Sequence, residues 1–380
     1  MLPGTATSQV SLAGVMPSGL EALLGRPNSL GLPRVKRMIV FVVDGLGANT
    51  ILERSGHART LAGAMTKHSF ARSVFPSTTL SALTTITTGR QPGEHGMIGY
   101  AEFDPEHDRV VVPLSNWSPQ MDPAKWQPLR TIFEQATEFG IASHAIGIER
   151  FRNSGFTAAS LRGATFWGAE TVAGRVQIAL ELLNTNEPVL IYVYAAEFDH
   201  ALHEQGRLAS KSMHALEELD AGIAKLIAGL GPNDGLIVTA DHGAVDVPKE
   251  SQVLFDLNSH LIDGIRHVAG EPRALSLFFE PDASAELRAQ TLQSWKAIEG
   301  DRALVFSRED AIAAGLFGAV ISEHARSKIG EIVVAARKQI AYYDSRTATA
   351  QSLSMVGHHG SVSVEETRVP LLQFGAFSQS

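Results

Sequence analysis

The sequence predicts an α/β protein: a doubly wound, mostly parallel sheet with helices on both faces and a smaller inserted or capping subdomain. Three observations predict it. Continuous apolar runs rich in Val and Ile recur at Met38–Val43, Val189–Tyr194, Leu236–Thr239 and Ile332–Ala336, the pattern of strands buried on both faces of a parallel sheet. Between runs lie amphipathic stretches, such as Ala173–Leu183 and Met213–Leu230, with apolar residues at helical spacing. That alternation is the mark of helices layered on a sheet. Third, Asp and His residues follow directly on several runs, and ligands in such folds sit beyond the carboxyl ends of the strands.

The chain has 380 residues, enough for two domains or for one with an insertion. Residues 1–247 with 355–380 read as the main unit and residues 248–354 as the capping subdomain. Within the latter, strand-like and helix-like pieces (RALSLFFE, ASAELRAQTLQSWKAIEG, EIVVAAR) carry no new catalytic constellation, and the chain returns to the main unit at Gly357–Gly360. Hydrophobic residues make up 44% and charged residues 19%, an ordinary globular composition. No apolar run nears the ~20 residues of a membrane span, so a soluble protein with no membrane partner is expected.

The 40 acidic and 32 basic residues give a net charge of −8, which repels a phosphate backbone and argues against nucleic acid as partner. Positive charge for any phosphate chemistry must then come from metal ions. The chain has no cysteine, which excludes disulfides, thiolate metal sites and cysteine nucleophiles and suits the cytoplasm. The N-terminal segment has no Lys or Arg before Arg26 and no clean apolar core, so it does not read as a secretory signal.

Four junctions carry metal-type ligands. In VVDGLG, Asp44 follows a strand and the glycines let the backbone turn closely around it. The same GLGAN lacks the G-x-G-x-x-G and the Lys of nucleotide loops. In EFDHALHEQG, Asp199 and His203 are four apart and share one helical face. In LIVTADHGAV, Asp241 and His242 end another buried run. In SMVGHHGSV, His358 and His359 lie between glycines, where imidazoles serve better as ligands than as packing; either could be the ligand.

A fifth segment, SVFPSTTLSALTTITTGRQPGEHGMIGY, places Ser77, Thr78 and Thr79 before a helical run closed by Gly89. A hydroxyl there would meet the free N–H groups of a helix start, where an anion is stabilised. Thr is a weak nucleophile unless a metal or base activates it. Two cations ~3.5–4 Å apart can do so and can clamp both oxygens of an in-line displacement.

The order strand-Asp, FP-x-x-T with TG-x-x-P-x-x-HG, D-x-x-x-H, DHG and G-x-HG resembles the alkaline phosphatase superfamily. The nearest likeness is to its nucleotide pyrophosphatase/phosphodiesterase branch, with phosphonoacetate hydrolase among the small bacterial relatives. The resemblance implies two divalent metal ions, Zn2+ first with Mn2+ or Fe as alternatives. One would be held by Asp199, His203 and His359, the other by Asp44, Asp241 and His242 with the Thr79 hydroxyl. It selects Thr79 as nucleophile, nine residues before Thr88 of the Thr-Gly pair, with Thr78 in reserve. The implied reaction is hydrolysis of phosphate diesters or nucleotide pyrophosphate bonds through a phospho- or nucleotidyl-threonine, on a small phosphate-ester or nucleotide substrate. A phosphomonoesterase or phosphonate hydrolase is the alternative; a phosphomutase or a non-catalytic metal-binding protein fits less well.

One departure stands out. The T-x-P-N pattern of the family has Ala82 here in place of its Asn, which leaves the choice among diester, monoester and phosphonate open. Asn116 is a candidate to supply a polar contact instead. Tyr100 is expected to line the pocket, His95 to be structural, and Trp117, Trp126 and Phe166-Trp167 to be packing residues.

Overall fold

The computed structural model describes residues 10–378; the first nine residues of the N-terminal segment discussed above lie outside them. Seven strands form the central sheet: β1 (Arg37–Val43), β2 (Phe70–Arg72), β3 (Ala142–Gly147), β4 (Thr165–Gly168), β5 (Val189–Ala195), β6 (Asp234–Thr239) and β7 (Arg368–Gly375). Their order is β2-β7-β6-β1-β5-β3-β4. β1 pairs in parallel with both β5 and β6, and β3 with both β5 and β4. Only β7 runs against its neighbours. Every residue of β6, and all but the first of β1, is buried, as strands covered by helices on both faces require. Ile39 lies between Ile191 and Leu236, and β-branched side chains pack well on such a pleated surface.

The helices that matter to the site are α1 (Thr79–Thr88), α2 (Val172–Leu182), α3 (Glu197–Gln205) and α4 (Ser210–Ala228). The last begins three residues before the periodic apolar pattern does, because its first turn is Ser210-Lys211-Ser212. Gly89 closes α1 in the left-handed conformation, φ +70°. The apolar SVF segment, residues 73–75, lies just past the end of β2. There the Ser73 hydroxyl donates to the carbonyl of Asp241.

The run Ile332–Ala336 does not join the central sheet. It lies in a second, antiparallel sheet ordered Ile265–Glu271, Ala274–Phe279, Ile332–Ala336, Ala303–Ser307. The run is apolar throughout because both its faces are covered there too. Ile332, Val334 and Ala336 pack with Trp295, while Val333 and Ala335 pack with Phe75 and Phe317. Burial on both faces is therefore visible in the sequence, but not which sheet provides it.

Candidate metal centre

Parallel strands bring their carboxyl ends to one edge, and the singled-out Asp and His residues collect there. Asp44 follows β1; Asp199 and His203 stand on α3 after β5; Asp241 and His242 follow β6. His359 arrives on the loop beyond Gly357–His358, which pairs with Val245–Asp246. The side chains form two groups, Asp199/His203/His359 and Asp44/Asp241/His242, each offering ligand atoms within 4.8 Å of one another. The groups adjoin, for the rings of His242 and His359 stack with centroids 3.7 Å apart.

Each of the three imidazoles donates from Nδ1 to a backbone carbonyl. Nδ1 of His203 donates to the carbonyl of Gly357 (2.8 Å), that of His242 to Gly243 (3.1 Å) and that of His359 to Ser77 (3.0 Å). A ring fixed by donation from Nδ1 keeps its lone pair on Nε2, the arrangement of a metal-ligating histidine. His203 Nε2 lies 3.2 Å from Asp199 Oδ2. His242 Nε2 lies 3.3 Å from Asp44 Oδ1 and 3.2 Å from Thr79 Oγ1.

The carboxylates divide their oxygens. Asp241 Oδ1 accepts the backbone N–H groups of Gly45 (3.1 Å) and His242 (2.8 Å), and Asp44 Oδ2 accepts the Tyr194 hydroxyl. Asp44 Oδ1, Asp199 Oδ1 and Asp241 Oδ2 are buried without a hydrogen-bond partner. Three such oxygens in one interior are costly unless a cation meets them. Three carboxylates and three imidazoles form an N/O donor set that fits Zn2+, with Mn2+ or Fe also accommodated.

The electrostatics express the same crowding. Burial, then Asp199 and Asp241, push the Asp44 carboxyl well above its usual range; burial also raises Asp241. Burial opposes ionisation of Asp199 too, but His203, His359 and His242 outweigh it and hold that carboxyl below the usual range. His359 is pushed well down by burial and by neighbouring His242.

Glycine is required where the loops close on one another. Gly45 has φ +73°, and a Cβ on it would stand 2.9 Å from Asp199 Oδ1. A Cβ on Gly243 would come 2.1 Å from the Glu365 carbonyl. The loop before α1 is clipped to the His359 loop: Ser77 N–H donates to the Gly360 carbonyl (3.0 Å) and its hydroxyl to that of Ser361 (2.7 Å). Ser77 is thus committed to the scaffold and Thr78 is the residue preceding α1. Thr79, at the first position of α1, directs its hydroxyl to His242.

A cavity of about 960 Å³ opens over both groups. Asp44, Thr79, Asp199, His203 and His359 line its floor, and Tyr100, Phe151, Phe156 and Phe166 are among its walls. Phe166 is therefore more than packing. Trp117 and Trp126 are packing residues, their indole N–H groups donating to the Met121 carbonyl and to Glu102. Asn116 is exposed and is not among the lining residues. Ala82 is fully buried in the main core, and Leu83 is the residue of that turn that reaches the cavity. His358 is engaged by the Tyr343 hydroxyl (2.7 Å) and the Val356 carbonyl (2.9 Å), leaving His359 as the member of the pair in the cluster. Sequence reasoning missed Tyr194, which holds Asp44, and Glu271, which reaches the cavity from the second sheet. No motif marks either residue.

A doubly wound sheet with two adjoining Asp/His groups at its carboxyl edge, and a threonine hydroxyl beside them, is the layout of the alkaline phosphatase superfamily. Residues 38–362 match the type I phosphodiesterase/nucleotide pyrophosphatase family, and the chain belongs to it. A stretch of 119 residues is 30% identical to phosphopentomutase of Symbiobacterium thermophilum, spanning 31% of this chain and 28% of that protein. The fold is similar to that of murine ectonucleotide pyrophosphatase/phosphodiesterase 5, solved as an inactive variant with AMP. That match has a TM-score of 0.71 at 17% identity and covers 90% of this chain and 88% of the other. It is also similar to phosphonoacetate hydrolase of Sinorhizobium meliloti in complex with phosphonoformate, with TM-score 0.67, 19% identity and coverage of 90% and 91%.

Proposed function

We propose that the protein is a cytoplasmic two-metal hydrolase that cleaves phosphate diesters or nucleotide pyrophosphate bonds through a covalent intermediate on Thr79. The observation that carries this reading is the Thr79 hydroxyl, 3.2 Å from His242 Nε2 and beside three buried carboxylates with unpaired oxygens. Two divalent cations, Zn2+ by preference, held by Asp44/Asp241/His242 with Thr79 and by Asp199/His203/His359, would neutralise phosphoryl oxygens and acidify the hydroxyl. Thr79 Oγ1 forms a bond to phosphorus as the bond to the leaving oxygen breaks, and water later cleaves the phosphothreonine. The N–H groups of the first turn of α1 face the added negative charge. Tyr194 and the N–H groups of Gly45 and His242 orient Asp44 and Asp241. The substrate in this reading is a small phosphate ester or nucleotide, with residues 248–354 acting as a cap; neither nucleic acid nor membrane is a partner.

A phosphonate hydrolase is the second reading, supported by a shared fold with phosphonoacetate hydrolase over 91% of that chain. Turnover of a p-nitrophenyl nucleotide diester, a bis-aryl diester, p-nitrophenyl phosphate and a phosphonate, each with and without chelator, separates them. Chelator-sensitive preference for a diester supports the first reading. Preference for the phosphonate supports the second, and preference for the monoester makes the protein a phosphatase. Full activity of T79A would overturn the covalent route.

A further inference from the structure

We propose that Glu271, at the tip of a hairpin of the second sheet, is a positioning residue for the Asp199/His203/His359 group, acting through His359. The hairpin joins Ile265–Glu271 to Ala274–Phe279, and its tip Glu271-Pro272-Arg273 reaches into the main unit. Arg273 is fully buried and grips Glu366 with Nε at 2.7 Å and Nη2 at 2.9 Å. Its Nη1 donates to the carbonyls of Lys338 and Ile340. Glu366 in turn accepts the N–H of Ser361 at 2.9 Å. The tip is thereby anchored to the loop that carries His359.

That anchorage sets the Glu271 carboxyl against the imidazole, Oε2 standing 3.3 Å from His359 Nδ1. The approach depends on Gly360, at φ +122°, where a Cβ would lie 2.5 Å from the Glu271 carboxyl carbon. The other oxygen, Oε1, is buried and makes no hydrogen bond of normal length, and the residue lines the cavity. His203 and His242 donate from Nδ1 to carbonyls alone, whereas His359 has a carbonyl and a carboxylate on the same side. A carboxylate behind a ligating imidazole fixes its orientation and raises its basicity, and its loss typically weakens metal binding 10–100-fold. The second sheet, besides lining the cavity at Glu271 and Pro272, thus contributes to the proposed metal centre itself.

The inference rests on the two-cation reading, and one experiment separates the two. The whole chain, stripped of metal, is titrated with Co2+ while visible absorption is followed, and the affinities are then measured by chelator competition. Wild type taking up two ions supports the two-cation reading; fewer than two overturns it, and the inference with it. In E271A one site should weaken 10–100-fold, with a changed absorption band, while the other keeps its affinity. The isosteric E271Q should show a smaller loss at the same site with an unchanged melting temperature. Two wild-type affinities in both variants, or an equal loss at both sites, would overturn the positioning role while leaving the two-cation reading intact.

Discussion

Asp44 shows what the site costs and what it gains. One oxygen accepts the Tyr194 hydroxyl while the other has no hydrogen-bond partner, and burial with Asp199 and Asp241 nearby lifts the carboxyl well above its usual range. Without cations that carboxylate opposes folding; with them, in the proposed two-metal reading, it would serve as a ligand. D44N should therefore raise the melting temperature of chelated protein by a few degrees, since amide for carboxylate relieves the like-charge crowding. In metal-loaded protein the same change should lower it, with loss of one ion per chain and of turnover. Calorimetry on both forms reads the sign, and a shift in the same direction in both would refute the argument. At this scale legibility follows local context. Asp44, Asp241 and His242 stand directly after apolar runs, and Asp199 and His203 are one helical turn apart, so each is visible in a short window. Glu271 sits in a hairpin turn with no motif, and only a contact across 88 residues of sequence, to His359, gives it meaning.

Among the elements, α1 is tied to the turn that follows it by His95. Its Nδ1 accepts the N–H of Met97 (3.1 Å) and its Nε2 donates to Thr85 Oγ1 (2.9 Å), a pattern open only to the neutral ring. Burial, with Lys328 adding to it, pushes its pKa down to about 3. The unfolded chain binds a proton near pH 6.5 that the folded one refuses. This contribution to stability is complete above pH 6.5 and falls as pH drops towards 3, by up to ~1.4 kcal/mol per pH unit. The stability gap between wild type and H95Q should then shrink from pH 7 to pH 5; a constant gap in denaturant titrations would refute it. Lys328 anchors the helix Glu323–Lys328 to the same region, donating to the Gly96 carbonyl (2.9 Å) and Glu102 (3.2 Å). K328M strands the Glu102 carboxylate and should cost about 3–5 kcal/mol, most of it recovered in the double variant E102Q/K328M. The same limit on reading elements applies to Ile332–Ala336. Its pattern reports cover on both faces, which either sheet supplies, so its place in the second sheet depends on partners distant in sequence.

At the scale of the whole molecule the candidate metal centre is a joint between two sheets. The loops after Asp44 and Asp241 meet backbone to backbone at Gly47 and Gly243 and close on the Glu365 carbonyl, and the hairpin tip at Glu271-Pro272-Arg273 reaches neighbouring Glu366 and His359. Cations that bind only the folded chain stabilise it by about 4 kcal/mol per site when free metal is a thousand times the dissociation constant. For two sites in a chain of this size, chelation should lower the melting temperature by on the order of 10 °C. The distribution of that loss is the sharper prediction. Hydrogen exchange after chelation should accelerate in the loops after β1 and β6, in α3 and around Gly357–Gly360. It should also accelerate at the hairpin tip near Glu271, although that hairpin belongs to the other sheet. Ala303–Ser307, at the far edge of the second sheet, should keep its protection. Unchanged exchange at the hairpin tip would mean that the second sheet merely rests on the metal centre. Acceleration at the tip but not at Ala303–Ser307 would show that cations order the hairpin tip through Glu271 and Arg273, which couples that part of the cavity wall to the site beneath it.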